Sequence, residues 1–135
     1  MTVTTVQYGE IITPAIQVKP WGHEVVFATG ENDYVGKIIT VTAGQALSLQ
    51  YHDRKDETIR VLSGEATLEH GPSAELLRTR VMRPGHTVHL APSVVHRITA
   101  ITDVVLVEVS TAGPGWRDDV VRLSDRYGRS GTNAP

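Results

Sequence analysis

The chain has 135 residues, with 13 Lys and Arg against 15 Asp and Glu, and no cysteine. That length supports one domain around a single core, and interspersed charges of near-zero sum offer no polyanion surface, so no nucleic-acid partner is expected. Disulfide stapling and thiolate metal sites are excluded. No basic residue precedes Lys19, no apolar leader core follows Met1, and no run is long enough to span a bilayer, so a cytoplasmic protein without a membrane partner is expected.

In chain order, residues 1–18 are rich in Thr, Val and Ile and read as an N-terminal strand or arm. Pro14 confines it to a sheet edge. Lys19-Pro20-Trp21-Gly22 reads as a turn into a strand at 23–27, and a turn at 30–33 leads to a strand at 34–41. The stretch 44–64, GQALSLQYHDRKDETIRVLSG, reads as a hairpin: an alternating run, a charged turn at 53–56, and a second run opening on Glu57. Strands are expected at 65–69, 75–81, 86–90 and 94–98, with Pro84-Gly85 a strong turn signal. The apolar run from Asp103 to Val109 reads as a central strand, well buried. Short β runs about 8–12 residues apart, without 3.6-residue periodicity, argue an all-β sandwich or barrel. Residues 130–135 read as a flexible tail.

The hairpin carries the chemistry. Gln50 and His52 share one strand face, and the turn returns Glu57 opposite them. An amide oxygen, an imidazole and a carboxylate there could all be solvated rim groups. A fourth candidate, His96, follows the turn in HLAPSVVH at 89–96 and makes a metal site of Gln50, His52, Glu57 and His96.

From Gly44 to Gly64 the spacing of Gly, Gln-x-His, Glu and Gly resembles the first motif of the cupin superfamily. Residues 85–96 resemble the second, with Ala91 and Ser93 where proline and glycine are usual. KPWG at 19–22, SLQYHDRKDE at 48–57, VVHR at 94–97 and RDDVVRLSDRYGR at 117–129 are similar to type II mannose-6-phosphate isomerase. In that family this cupin is often the C-terminal part of a longer enzyme fused to a mannose-1-phosphate guanylyltransferase, whose Gly-rich loop is missing from this sequence. The likeness implies an all-β, double-stranded β-helix (jelly-roll) barrel at 19–129 and an isomerase of sugar phosphates. Three departures stand out: Thr58 and Ile59 where His and Trp are common, Ser93 in the turn, and Ala100 where Asn is expected.

Aldose–ketose isomerisation moves a proton between C1 and C2 through an enediol. It needs a Lewis acid, a base, and an anchor for the distal phosphate. The mixed nitrogen and oxygen set suits Zn²⁺, which the resemblance favours, and would also accept Mn²⁺, Fe²⁺, Co²⁺ or Ni²⁺. Lys19, Arg54, Arg97, Arg122 and Arg129 are the cationic candidates for the anchor. Lys19 and Arg122 lie in the family-like stretches and are expected to serve catalysis and substrate binding, with Arg97 as a further substrate contact. Asp119 or Asp125 would hold the Arg122 guanidinium, and Val121 and Leu123 would dock its segment on the barrel. His23, His86 and His89 are the candidates for the base, while Trp21, Tyr34 and Trp116 read as packing residues. Two other readings remain: a cupin metalloenzyme of another class (lyase, cyclase, epimerase or oxygenase), or a non-catalytic sugar-binding cupin. A homodimer paired through outer sheets is expected.

Overall fold

The computed structural model describes residues 8–31 and 33–132; the expectations for residues 1–7 and 133–135 lie outside them. The strands are β1 (Ile16–Lys19), β2 (Gly22–Thr29), β3 (Tyr34–Val41), β4 (Leu49–Tyr51), β5 (Glu57–Ser63) and β6 (Ala66–Gly71). They continue with β7 (Arg78–Met82), β8 (Thr87–Leu90), β9 (Val95–Ala100), β10 (Val104–Thr111) and β11 (Val121–Ser124). A six-stranded sheet runs β1-β2-β3-β10-β5-β8 and a five-stranded sheet runs β11-β4-β9-β6-β7, antiparallel throughout. The expected jelly-roll barrel is this pair of facing sheets. Among the described residues no helix is long and apolar enough to cross a membrane.

The hairpin expected at 44–64 does not form. β4 belongs to the five-stranded sheet, between β11 and β9, whereas β5 belongs to the six-stranded sheet, between β10 and β8. The chain crosses from one sheet to the other at 52–56. Amides that a hairpin turn would satisfy locally are bonded elsewhere: those of Asp53, Arg54 and Lys55 donate to the Asp119 carboxylate. Glu57 therefore reaches the metal-binding candidates from across the barrel and not from a neighbouring strand.

β10 shows how one strand builds both core and site. Its inward residues run Val104, Leu106, Glu108, Ser110, none more than 7% exposed. Val104 and Leu106 join Val41, Ile39, Val61, Leu68, Ile98 and Trp21 in the apolar core. Glu108 and Ser110 face the polar end, where Ser110 stands in register with Glu57 and Glu108 with Lys37. The strand is central as expected but not buried on both faces: Val105 and Val107 are half-buried, and Val109 is 53% exposed on the outer face. An antiparallel sheet covers only one of its faces. On the same outer face lie Val18, Phe27 and Tyr34, all exposed.

Two turns explain motif positions. Gly64 has φ +80°, and a Cβ there would stand 2.0 Å from the Asp103 carbonyl oxygen, so only glycine closes the β5–β6 turn. Ala91-Pro92-Ser93-Val94 is a type II turn, with Val94 N–H donating to Ala91 O at 3.2 Å and Ser93 at φ +73°. Serine there carries a left-handed conformation that glycine adopts freely. Ser93→Gly is expected to raise stability by about 1 kcal/mol, read as a higher urea midpoint at unchanged slope.

The C-terminal segment forms a strap along the barrel. After a 3₁₀ turn at Trp116–Asp118, β11 pairs with β4, Arg122 opposite Gln50. Arg126 Nη1 donates to Gly44 O at 2.7 Å, and Tyr127 Oη donates to Gln45 Oε1 at 2.6 Å. The expected apolar contacts are not the main ones: Val121 is half-buried and Leu123 is 43% exposed, whereas strand pairing, these hydrogen bonds and Tyr127, packed against the core, hold the segment. Residues 130–132, read as free tail, also fold back, with Gly131 N–H donating to Arg122 O at 2.9 Å.

Candidate metal centre

His96 sits on β9 in register with Gln50 on β4, so both point between the sheets. His52 follows β4 by one residue, and Glu57 opens β5 on the facing sheet. His52, Glu57 and His96 are 8%, 2% and 4% exposed, and their donor atoms lie within 4.8 Å of one another. Glu57 Oε1 is 3.0 Å from His96 Nε2 and 3.4 Å from His52 Nε2. Donors about 2.0–2.1 Å from a tetrahedral ion stand ~3.3 Å apart, so the spacing suits one shared cation.

Both imidazoles are oriented for that role. His96 Nδ1 donates to Val94 O at 2.9 Å and His52 Nδ1 donates to the Asp119 carbonyl. Each neutral ring then presents its Nε2 lone pair toward Glu57, the ligand tautomer set by a second bond. Gln50 lines the same cavity between His96 and Arg122. The His52, Glu57 and His96 donors fit a divalent metal.

Sequence reasoning missed a second polar layer. Lys55, on the crossing, puts its Nζ 3.3 Å from Glu57 Oε2 and 3.2 Å from Glu108 Oε2. Lys55 is 7% exposed and Glu108 6%. Burial pulls the Lys55 ammonium down, but the charges of Glu108 and Glu57 outweigh it and hold it above its usual value. Burial, then the neighbouring Glu57 charge, push the Glu108 carboxyl up. Burial would raise Glu57 too, yet bonds from His52 and His96 and the Lys55 charge hold it well below the carboxylate range. Lys55 fell in the stretch read as a charged turn, and Glu108 in the run read as a well-buried central strand. Only the sheet crossing and the inward register of β10 reveal them.

Burial lowers the His96 imidazole, and Glu57, by hydrogen bond and charge, more than restores it above the usual value. Metal must displace that proton. Loading the metal-free protein at neutral pH is therefore expected to release protons, with less release as pH rises through the raised His96 value. Titration calorimetry in buffers of different ionisation enthalpy measures it.

The remaining candidates separate by place. Arg122 lines the cavity; its Nε is buried without a hydrogen-bond partner, and its Nη1 donates to Thr132 O at 3.2 Å. Burial, and then Arg129 beside it, lower the Arg122 guanidinium, with Asp125 opposing. Asp125 does not hold Arg122 as expected but forks Arg129 at 3.0 Å through both Nε and Nη2. Asp119 is taken by the crossing. Lys19 lines the cavity and shares Glu24 with Lys37, at 3.6 and 3.9 Å. Arg97 points the other way: strand alternation after inward His96 sends it to the outer face, where Nε and Nη2 fork Glu69 at 2.8 and 2.9 Å. It has no place in the cavity.

The proposed bases also lie elsewhere. His23 is on the outer face of β2, His86 Nδ1 accepts from Arg83 N–H, and His89 Nε2 bonds the exposed Asp56 carboxylate. Trp21 is core and cavity wall together. Trp116 closes the cavity near Lys37 and under the Arg117 guanidinium. Of the two departures after Glu57, Thr58 points outward beside His89, whereas Ile59 lines the cavity. Ala100 is packed in the core at 2% exposure.

The cavity has a volume of about 350 Å³, open at one end. Its lining carries Lys19, Lys37, Lys55, Arg117, Arg122 and Arg129 against Glu24, Glu57, Glu108, Asp118 and Asp119. With a divalent ion added, that set would carry a net positive charge.

Comparison with known proteins agrees with this architecture. The chain is 29% identical over 114 residues to mannose-1-phosphate guanylyltransferase RfbM of Salmonella typhimurium, covering 83% of this chain and 22% of that protein. It is 32% identical over 114 residues to xanthan biosynthesis protein XanB of Xanthomonas campestris, covering 83% and 23%. The chain thus spans under a quarter of the length of these relatives. Among solved structures, the capsular polysaccharide assembling protein CapF of Staphylococcus aureus matches with a TM-score of 0.73 at 15% identity, over 85% of this chain and 33% of that one. KdgF of a Halomonas species matches with a TM-score of 0.62 at 18% identity, over 73% and 88%. These two share the fold. Residues 10–125 match the family described as mannose-6-phosphate isomerase, C-terminal, and the chain belongs to that family.

Proposed function

We propose that this domain is a metal-dependent aldose–ketose isomerase of a phosphorylated sugar, mannose 6-phosphate being the first candidate. The observation that carries the reading is the pairing, in one cavity, of a convergent His52–Glu57–His96 cluster with Arg122, whose buried Nε lacks a partner. On the five-stranded sheet Gln50 alone separates His96 from Arg122, two strand spacings or roughly 10 Å between backbones. A Lewis acid at one end and a guanidinium at the other suit a short chain that carries a carbonyl and a phosphate.

His52, Glu57, His96 and Gln50 would hold the ion, with Zn²⁺ preferred for two imidazoles and two oxygens. Bound there, it would polarise the substrate carbonyl. Arg122 receives the phosphate through its free N–H groups. Lys55 Nζ and Glu108 Oε2, 3.2 Å apart on the cavity wall, take the place of the histidines as the pair that moves the proton between carbons. A carboxyl whose protonated form is favoured by burial can both accept and return a proton.

Ile59, standing in the cavity wall where the family resemblance implies Trp, favours a second reading. The same site would then act on another small anionic substrate, by lyase, epimerase or related chemistry. Coupled assays on metal-loaded protein with mannose 6-phosphate and fructose 6-phosphate test the first reading. Turnover in both directions, lost on chelation, supports it; metal binding without turnover of either sugar overturns it and leaves the second. For quaternary structure we propose a homodimer through the outer face of the six-stranded sheet, where Val18, Phe27, Tyr34 and Val109 are exposed. Light scattering that returns a monomer mass would remove it.

A further inference from the structure

The two imidazoles of the cluster are held in different ways. His96 Nδ1 is bonded by a carbonyl two residues away, Val94 O, so its own turn sets its tautomer. His52 Nδ1 is bonded by the carbonyl of Asp119, 67 residues downstream on the strap. Nothing local to His52 performs that task among its described contacts. The Asp119 carboxylate completes the link: Oδ1 accepts from Asp53 N–H at 2.8 Å, and Oδ2 accepts from Arg54 N–H at 3.0 Å and Lys55 N–H at 2.9 Å. One residue therefore contacts four consecutive residues of the sheet crossing.

From this geometry we infer that Asp119 is a positioning residue for the metal centre: its carboxylate clamps the strap to the crossing, and its carbonyl then holds His52 with Nδ1 protonated and Nε2 turned toward Glu57 Oε1, 3.4 Å away. The inference rests on the metal-centre reading above and extends it to the strap. A crossing of five residues between sheets has no ladder of its own, so its conformation must come from outside partners. Three charge-assisted bonds to one carboxylate supply them. Those bonds in turn hold Asp119 where its carbonyl meets the His52 ring. Arg122, three residues further along, is carried by the same strap, so one element presents both the oriented ligand and the anion anchor.

The prediction separates positioning from general strap docking. Asp119→Ala removes the three carboxylate bonds but leaves a backbone carbonyl free to drift. It is expected to weaken Zn²⁺ binding about 10- to 100-fold, the range for loss of a group that orients a ligand histidine. In the metal-free protein, ¹⁵N shifts of the neutral rings should report His52 moving from the Nδ1–H tautomer toward the Nε2–H one, whose proton Glu57 Oε1 can accept, with His96 unchanged. Arg126→Ala cuts a different tie of the strap, the bond to Gly44 O, and should preserve both the affinity and the tautomer. Asp119→Asn, nearly the same shape but with one donor facing the crossing amides, should fall between the wild type and Asp119→Ala.

Wild-type Zn²⁺ affinity in Asp119→Ala, together with an unmoved His52 tautomer, overturns the inference. So does an equal loss in Arg126→Ala, which would assign the effect to strap docking at large. A wild-type protein that binds no Zn²⁺ would sink the metal-centre reading instead, and the tautomer comparison would still decide the role of Asp119. If Asp119→Ala fails to fold, Asp119→Asn carries both measurements.

Discussion

Replacing His96 by alanine is expected to abolish useful metal binding while the barrel stays folded. Four-donor zinc sites contribute about 10–16 kcal/mol, so one donor is worth ~2.5–4 kcal/mol, or about 100- to 1,000-fold in Kd. The fold should survive because the core is a separate body of side chains. Val41, Val61, Val104 and Leu106 are fully buried toward one end of the barrel, and the cluster occupies the other. Each such apolar side chain contributes about 1.5–3 kcal/mol on burial without help from an ion. His52→Ala should behave likewise. Metal content by elemental analysis and a retained cooperative unfolding transition are the two readouts. A variant that unfolds at room temperature would make the site structural and remove the ground for an enzyme reading.

Arg122→Ala should raise KM for a phosphorylated sugar by about 10- to 150-fold, the worth of hydrogen bonds to a charged group at ~1.5–3 kcal/mol. Metal content should not change, because no candidate ligand bonds to this side chain. Stability is informative as well. The guanidinium is partly buried beside Arg129, with Nε unpartnered and Asp125 already committed to Arg129. Its removal is expected to leave the melting temperature unchanged or higher, as for a group kept for its ligand at some cost to the fold. Arg122→Lys should recover only part of the lost affinity, since an ammonium keeps the charge but not the planar fork. An unchanged KM together with a lower melting temperature would make Arg122 a packing residue. The sugar-phosphate reading would then lose its anchor.

Much of the fold was legible in the sequence because it rests on local signals. Period-two alternation, Gly and Pro punctuation and the absence of helical periodicity placed most strands within two or three residues of their bounds. His52, Glu57 and His96 were legible by residue type and spacing, and strand alternation after His96 already turned Arg97 outward. What the sequence could not convey is which strands are neighbours. A Gln-x-His run, a charged turn and a following strand look the same whether they close a hairpin or cross between sheets. Here the crossing was decided by partners far along the chain: β11 and β9 for β4, β10 and β8 for β5, and the Asp119 carboxylate for the amides between them. That choice turned Lys55 inward, and the register of β10 set Glu108 opposite it. Composition could not foresee a lysine of the charged crossing buried against a glutamate of an apolar strand. Asp125 and Arg129, four apart on the strap, bond each other at 3.0 Å, and this local pairing left Arg122 without the carboxylate the sequence suggested for it. The residue types that can hold a metal were thus determined by the sequence alone. Which cations and carboxylates share the cavity with them was decided by long-range pairing, because a charge finds its partner by distance in space and not by separation along the chain.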